Sequence, residues 1–199
     1  MAVAVRLAQR PAADELLGRS PLAALVGVLL DERVPLDWAF TAPLLIARRL
    51  GTDGLDVRRI AACDPGRFAS LCRADPAVHS QPAAMARKVQ HLCKALVARY
   101  DGEVTGLWAG ARSGAEVYDR LLALPGFGPQ KSRVFVALLG KRYGIRPEGW
   151  REAAGVYGED GVRLSAADVT GPESLAAVIA ARSAMRDGAR RARAAATAR

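Results

Sequence analysis

The sequence predicts an all-α fold, and three observations predict it. From Pro21 onward apolar residues recur at helical spacing. Alternating runs rich in Val, Ile and Thr, the mark of strands, are missing. The breaks between apolar stretches carry helix punctuation, with Pro in first turns, Ser or Asp before them and Gly at ends.

In chain order, Ser20 and Pro21 read as N-cap and first residue of a helix in "PLAALVGVLLDERV". Pro35 restarts the chain in "PLDWAFTAPLLIARRLG", which closes on Gly51. Short helices follow at "DVRRIAAC" and "DPGRFASLCR", each preceded or opened by an Asp that can cap. The strongest helix is "MARKVQHLCKALVARY". Met85, Val89, Leu92, Cys93, Leu96, Val97 and Tyr100 share one stripe, and Arg87, Lys88, His91 and Lys94 lie off it, as a solvated face or one turned to a polyanion. "YDGEV" breaks the chain. "GAEVYDRLLAL" and "KSRVFVALLGKRYG" then form a helical pair within 113–143, and "GIRPEGWREAAGVYGEDG" is a glycine-rich loop with one short helix from Trp150. Beyond Ser174 an Ala/Arg helix runs into low complexity, so the expected organisation is one domain over 1–182 and a basic tail over 183–199, disordered or a frayed helix.

Charge and cysteine usage narrow the class. The net charge is +9 over 199 residues, and the pI is near 10.2, which points to a polyanionic partner. Six arginines and one aspartate give the segment from Arg182 a net +5, which leaves +4 on the rest. Cys63, Cys72 and Cys93 are odd in number and unevenly spaced, which argues against a disulfide framework and for ordinary buried thiols. Without paired CxxC spacing or a Cys/His cluster, neither a structural zinc nor a cysteine-ligated iron–sulfur cluster has its ligands. Arg6 interrupts the N-terminus too soon for a signal-peptide core, and the longest apolar run, 21–30, is far short of a membrane span. The expectation is a soluble cytoplasmic monomer, nucleoid-associated in a bacterial cell.

The segment "LPGFGPQKS" concentrates the chemistry. Gly126 and Gly128 permit positive φ and leave no Cβ in the way, so successive N–H groups can turn outward where the second helix begins. A helix N-terminus adds unpaired N–H groups and the positive end of its dipole, which suits a phosphate oxygen. Lys131 and Arg133 oppose that dipole unless a polyanion sits there. The same spacing also serves an αα-corner that uses Gly only to turn.

This segment resembles the helix-hairpin-helix signature of the DNA glycosylase superfamily named for that motif plus a Gly/Pro-rich loop and an aspartate (HhH-GPD). "MARKVQHLCKALVARYDGEV" resembles the helix and turn that precede the hairpin in those enzymes, and "PLAALVGVLLDERV" the early helix ending in the element that wedges into DNA. The resemblance spans roughly 21–150. It implies a two-lobed helical fold with a DNA cleft between the lobes, flipping of a damaged base out of double-stranded DNA, and hydrolysis of its N-glycosidic bond. It places Gly126, Phe127, Gly128, Gln130, Lys131, Ser132 and Arg33 against DNA, Arg33 as the wedge. The expected enzyme has no metal in catalysis and, for want of cysteine ligands, no iron–sulfur cluster; the one ion the resemblance brings is a monovalent cation at the hairpin.

Three departures refine the expectation. Where bifunctional members carry the Schiff-base lysine this chain has Gln130, so it should be monofunctional and no lyase. Arg33 stands where the usual wedge is glutamine. The residues 145–155 hold no Asp, and the family's spacing lands on Glu148, with Glu152 as runner-up. Glu148 is either the carboxylate that stabilises the oxocarbenium charge and orients water, or merely an acid favouring a helix N-terminus. Trp38, Phe40, Tyr143 and Trp150 either stack on the flipped base or pack in the core. The rival expectation is a non-catalytic DNA-binding protein that kept hairpin and wedge and lost the acid.

Overall fold

The computed structural model describes residues 4–197, with side chains as far as Arg193. Among the described residues the regular structure is all helical, without a strand. The helices are α1 (Pro11–Arg19), α2 (Pro21–Leu30), α3 (Leu36–Leu50), α4 (Val57–Ala62), α5 (Pro65–Arg73), α6 (Pro82–Tyr100), α7 (Gly114–Leu122), α8 (Pro129–Arg142), α9 (Trp150–Ala154) and α10 (Pro172–Thr197). Short 3-10 turns lie at Val104–Leu107, Gly155–Gly158 and Ala166–Asp168.

The caps explain most boundaries. Ser20 Oγ accepts from the Ala23 N–H at 3.2 Å and starts α2. Asp56 and Asp64 do the same for α4 and α5, at 2.9 and 2.8 Å. Ser113 caps α7 through the Glu116 N–H, while the Glu116 carboxylate reaches back to the Arg112 N–H. Gly51 closes α3 in the left-handed conformation. Helix α1, which the sequence reading passed over, is short and opens on Pro11 behind Arg10 without a side-chain cap.

Helix α2 is the axis of the core. Every residue from Leu22 to Leu30 is buried, and its apolar surface meets α1, α3, α6 and α8. A helix apolar all round has to lie inside. One continuous core joins its side chains to those of α6, with Met85, Val89 and Leu92, and of α8, with Phe135 and Leu138.

Helices α7 and α8 form the antiparallel pair expected from the hairpin. Behind them the chain turns at residues 143–149 and runs back along α8. Trp150 lies flat against Gly140, where an added Cβ would fall 2.4 Å from the indole, so only glycine admits that approach. Further on, Gly155 reaches Arg133. Helix α10 continues through Thr197, and from Ser183 to Arg193 nearly every residue is exposed. The last two residues of the predicted tail lie outside the described residues.

Candidate site between the hairpin and the α2–α3 loop

The hairpin turn is built by plugging its apolar residues inward. Leu124 and Phe127 are buried, and the Phe127 ring meets Phe135 edge-on with centroids 6.3 Å apart. Gly126 between them has φ +85°, and a Cβ there would lie 2.6 Å from Leu29 Cδ1. The turn therefore needs glycine twice over, for its dihedral and for its approach to α2. Gly128 is the extended N-cap of α8, no side chain caps that end, and Gly128, Pro129 and Gln130 are exposed. The free N–H groups of a helix start are thus open to an acceptor from outside.

Opposite the turn stands the loop between α2 and α3, held from four directions. Arg182 of α10 grips Asp31 with two parallel bonds of 2.9 Å. Lys131 of α8 donates to Glu32 and, at 2.7 Å, to the Leu29 carbonyl. Lys88 of α6 donates to the other Glu32 oxygen at 3.0 Å. His79, buried, receives the Gln81 N–H on Nδ1, so its Nε2 carries the proton and donates to the Glu32 carbonyl. Between these anchors Arg33 sits at φ +57° and exposed, in a conformation that costs a non-glycine residue on the order of 1 kcal/mol. The braced neighbours hold that strain and aim the one free side chain of the loop outward.

Hairpin and loop share a cavity of about 420 Å³. Asp31, Glu32, Gln130, Lys131 and Tyr157 line it, and Arg182 and Met185 of α10 close one side. Burial by itself pushes Glu32 upward, but hydrogen bonds and charge from Lys131 and Lys88 outweigh it and hold the carboxyl below its ordinary value. Burial likewise pushes Lys131 below the usual lysine value, with Glu32 opposing. The arrangement is an ionised carboxylate at the edge of a cavity, flanked by an amide and braced by two ammonium groups. Such a group can stabilise a developing positive charge or orient a water.

The structure brings together some of the residues singled out from sequence and separates others. Gln130 and Lys131 line this cavity, and Arg33 lies on the loop whose Asp31 and Glu32 line it too. Phe127 and Ser132 do not present side chains to a DNA surface: both are buried, and the Phe127 N–H already donates to the Leu124 carbonyl. Glu148 and Glu152 are exposed and lie away from Gln130. The Glu148 carbonyl accepts from the N–H of Gly114 at 2.6 Å, at the start of α7 and hence beside the C-terminal end of α8. That is roughly 15–20 Å along the helix from Gln130 at 1.5 Å per residue.

The aromatic candidates are placed elsewhere too. Phe40 is fully buried. Trp38 donates Nε1 to the Ala77 carbonyl at 3.2 Å, Tyr143 donates its hydroxyl to the Leu17 carbonyl at 2.9 Å, and Trp150 packs on Gly140. The cavity's own aromatic is Tyr157. Sequence reading missed Asp31, Glu32, Tyr157 and Arg182. Asp31 and Glu32 had a signal, since they adjoin Arg33 at the end of a wholly apolar helix; Arg182, 151 residues from Asp31, had none.

Burial pushes the Cys72 and Cys93 thiols up to about 12, so both stay protonated and unreactive. Among the described residues no group of three or more His, Cys, Asp or Glu could hold a metal ion. No described helix is long and apolar enough to cross a membrane. No protein-family model matches the chain, and neither a curated protein nor a solved structure matches it.

Proposed function

We propose that this chain is a helix-hairpin-helix DNA glycosylase of the HhH-GPD type, monofunctional, which binds double-stranded DNA across a cleft between two helical lobes and hydrolyses the N-glycosidic bond of a flipped base. The observation that carries this reading is the junction made by Lys131. One side chain at the start of α8 ties the hairpin to the loop that bears Arg33, so the phosphate-binding turn and the loop of the DNA wedge are joined beside one cavity.

In this reading the open N–H groups of Gly128 and Gln130 take a backbone phosphate. Arg33 fills the gap that a flipped base leaves. Glu32, an ionised carboxylate that lines the cavity with Gln130, stabilises the oxocarbenium charge, a role that Glu148 is too distant to fill in the same cavity. Lys131 donates to a carboxylate and a carbonyl, and a protonated amine so engaged has no lone pair for attack on a sugar. That supports hydrolysis without an imine.

The test is a panel of duplexes, each with one modified base, incubated with the protein and then treated with alkali. Release of one base should leave an intact abasic strand, and borohydride should trap no covalent adduct. Glu32→Gln should slow single-turnover release by about 10²-fold or more, while Glu148→Gln should cleave normally. A trapped adduct lost in Lys131→Ala would make the enzyme a lyase, and loss of activity in Glu148→Gln alone would move the chemistry to the far end of α8. A second reading, a DNA-binding protein without catalysis, draws on the full pairing of Asp31 and Glu32 with cations. DNA binding with no base released by the wild type would establish it.

A further inference from the structure

At the other end of α8 the surface opens into a second cavity, of about 370 Å³, between the C-terminal turn of α8, the start of α9 and residues 160–174. Five cations line it, Lys141, Arg142, Arg146, Arg151 and Arg163, against two carboxylates, Asp160 and Asp168. The pairing accounts for two of the five. Lys141 donates to Asp168 at 2.7 Å, and Arg151 holds both Asp160 oxygens at 2.9 Å.

Three guanidinium groups remain without a carboxylate. Arg146 spends only its Nε, on the Gly140 carbonyl at 3.0 Å. Arg142 has its Nε buried with no acceptor at all, and a buried unsatisfied donor on a charged group is costly. Arg163 is exposed and free. Like charges crowded on one cavity repel one another unless an anion enters, and guanidinium forks match phosphoryl oxygens in planar, bidentate geometry.

The geometry points to a second anion site here, for a ligand that carries phosphoryl groups with about three negative charges, such as a pyrophosphate moiety. It does not rest on the hairpin reading, since the two cavities sit at opposite ends of α8 and share no lining residue. The same chemistry has two sources, a free di- or polyphosphate and the phosphates of a DNA strand running along α8.

Pyrophosphate titrated into the full-length protein at low ionic strength, followed by calorimetry, tests the site. One saturable site is expected. Arg163→Gln should weaken it about tenfold or more, the loss of one charge-assisted bond pair, and Arg142→Gln should do so as well. Arg87→Gln, at an exposed position of α6, should leave it unchanged. Arg163 is exposed and makes no structural bond, so its variant folds even if the Arg142 variant does not. No saturable binding, or binding of wild-type strength in Arg163→Gln, would overturn the inference. Where binding is found, competition names the source: displacement of a short duplex by pyrophosphate, with weaker duplex binding in Arg163→Gln, assigns the site to DNA, and independent binding of the two assigns it to a free phosphate anion.

Discussion

At the N-terminal end of α8, Lys88, Lys131 and Arg182 pair with the two carboxylates Asp31 and Glu32, and of the cations that line that cavity only Arg186, exposed on α10, has no carboxylate. At the C-terminal end five cations face two carboxylates, and Arg142, Arg146 and Arg163 have none. One helix thus carries a cavity with a single unpaired lining cation and one with three. The difference separates rigidity from affinity. The paired end fixes the position of a loop and of Arg33, so its polar groups go into shape. The unpaired end keeps its donors for something that arrives.

The largest effect that breaks this comparison lies at the unpaired end, in its one deeply buried pair. The side chains of Lys141 and Asp168 are 10% and 4% exposed, and Asp168 also accepts from the N–H groups of Leu164 and Ser165. Asp168→Ala leaves a buried ammonium with only the Glu159 carbonyl to receive it, which costs about 3 kcal/mol. For a chain of this size that is a fall in melting temperature of about 6–12 °C. Adding Lys141→Met should recover most of it, because removal of both charges spares the uncompensated one. A single-variant loss below about 1 kcal/mol would mean that water reaches Lys141.

What the sequence made legible follows from the range over which each signal acts. The all-α class, the Ser20, Asp56 and Asp64 caps, the Gly51 stop and the turn at Gly126 all rest on residues within four or five positions of one another. Periodicity and capping act on that scale, and the structure matches the expectation there. The site was legible only in part. Gln130, Lys131 and Arg33 could be found because they lie in or beside a local motif. Their partners could not, since Lys131 reaches Glu32 across 99 positions and Arg182 reaches Asp31 across 151. Glu148 shows the reverse: the family's spacing along the chain lands on it, but α8 spans 14 residues, and the loop that follows opens at its far end. The aromatic candidates went into packing because a core this small in aromatics uses Phe40 and Trp150 to fill it.

A middle-sized effect sharpens what each hairpin glycine does. Gly126→Ala puts a Cβ at φ +85° and 2.6 Å from Leu29, which strains the backbone and crowds α2, at about 1–3 kcal/mol. Gly128 has negative φ and nothing within 4 Å of an added Cβ, so Gly128→Ala should change stability by less than about 0.5 kcal/mol. If Gly128 is kept open for a phosphate, that variant weakens DNA binding at full stability, for all sequences alike. Equal affinity in Gly128→Ala and wild type, by fluorescence anisotropy at one fixed salt concentration, would take the turn out of the interface.

The smallest effect tests whether the paired end is settled in fact. Glu32 is held below its ordinary value of 4.5. Its ionisation therefore adds stability that is fully present above that value and is lost as the pH falls through the lower, folded-state one. Lys131 is held below its ordinary 10.5 by burial, with Glu32 opposing the shift. In Glu32→Gln the opposition is gone, so Lys131 falls further and sheds its proton at a lower pH. The gap in melting temperature between wild type and Glu32→Gln should accordingly be widest near neutral pH. It should close on the acid side as Glu32 protonates, and on the alkaline side as Lys131 of the variant, left with only the Leu29 carbonyl, becomes neutral. Glu32 is 37% exposed, and solvent screening keeps the maximum gap to about 1 kcal/mol or less. Melting curves from pH 3 to 10 measure it. A gap that stays constant over that range would show that Glu32 acts through shape alone, and the two ends of α8 would then differ in packing rather than in charge.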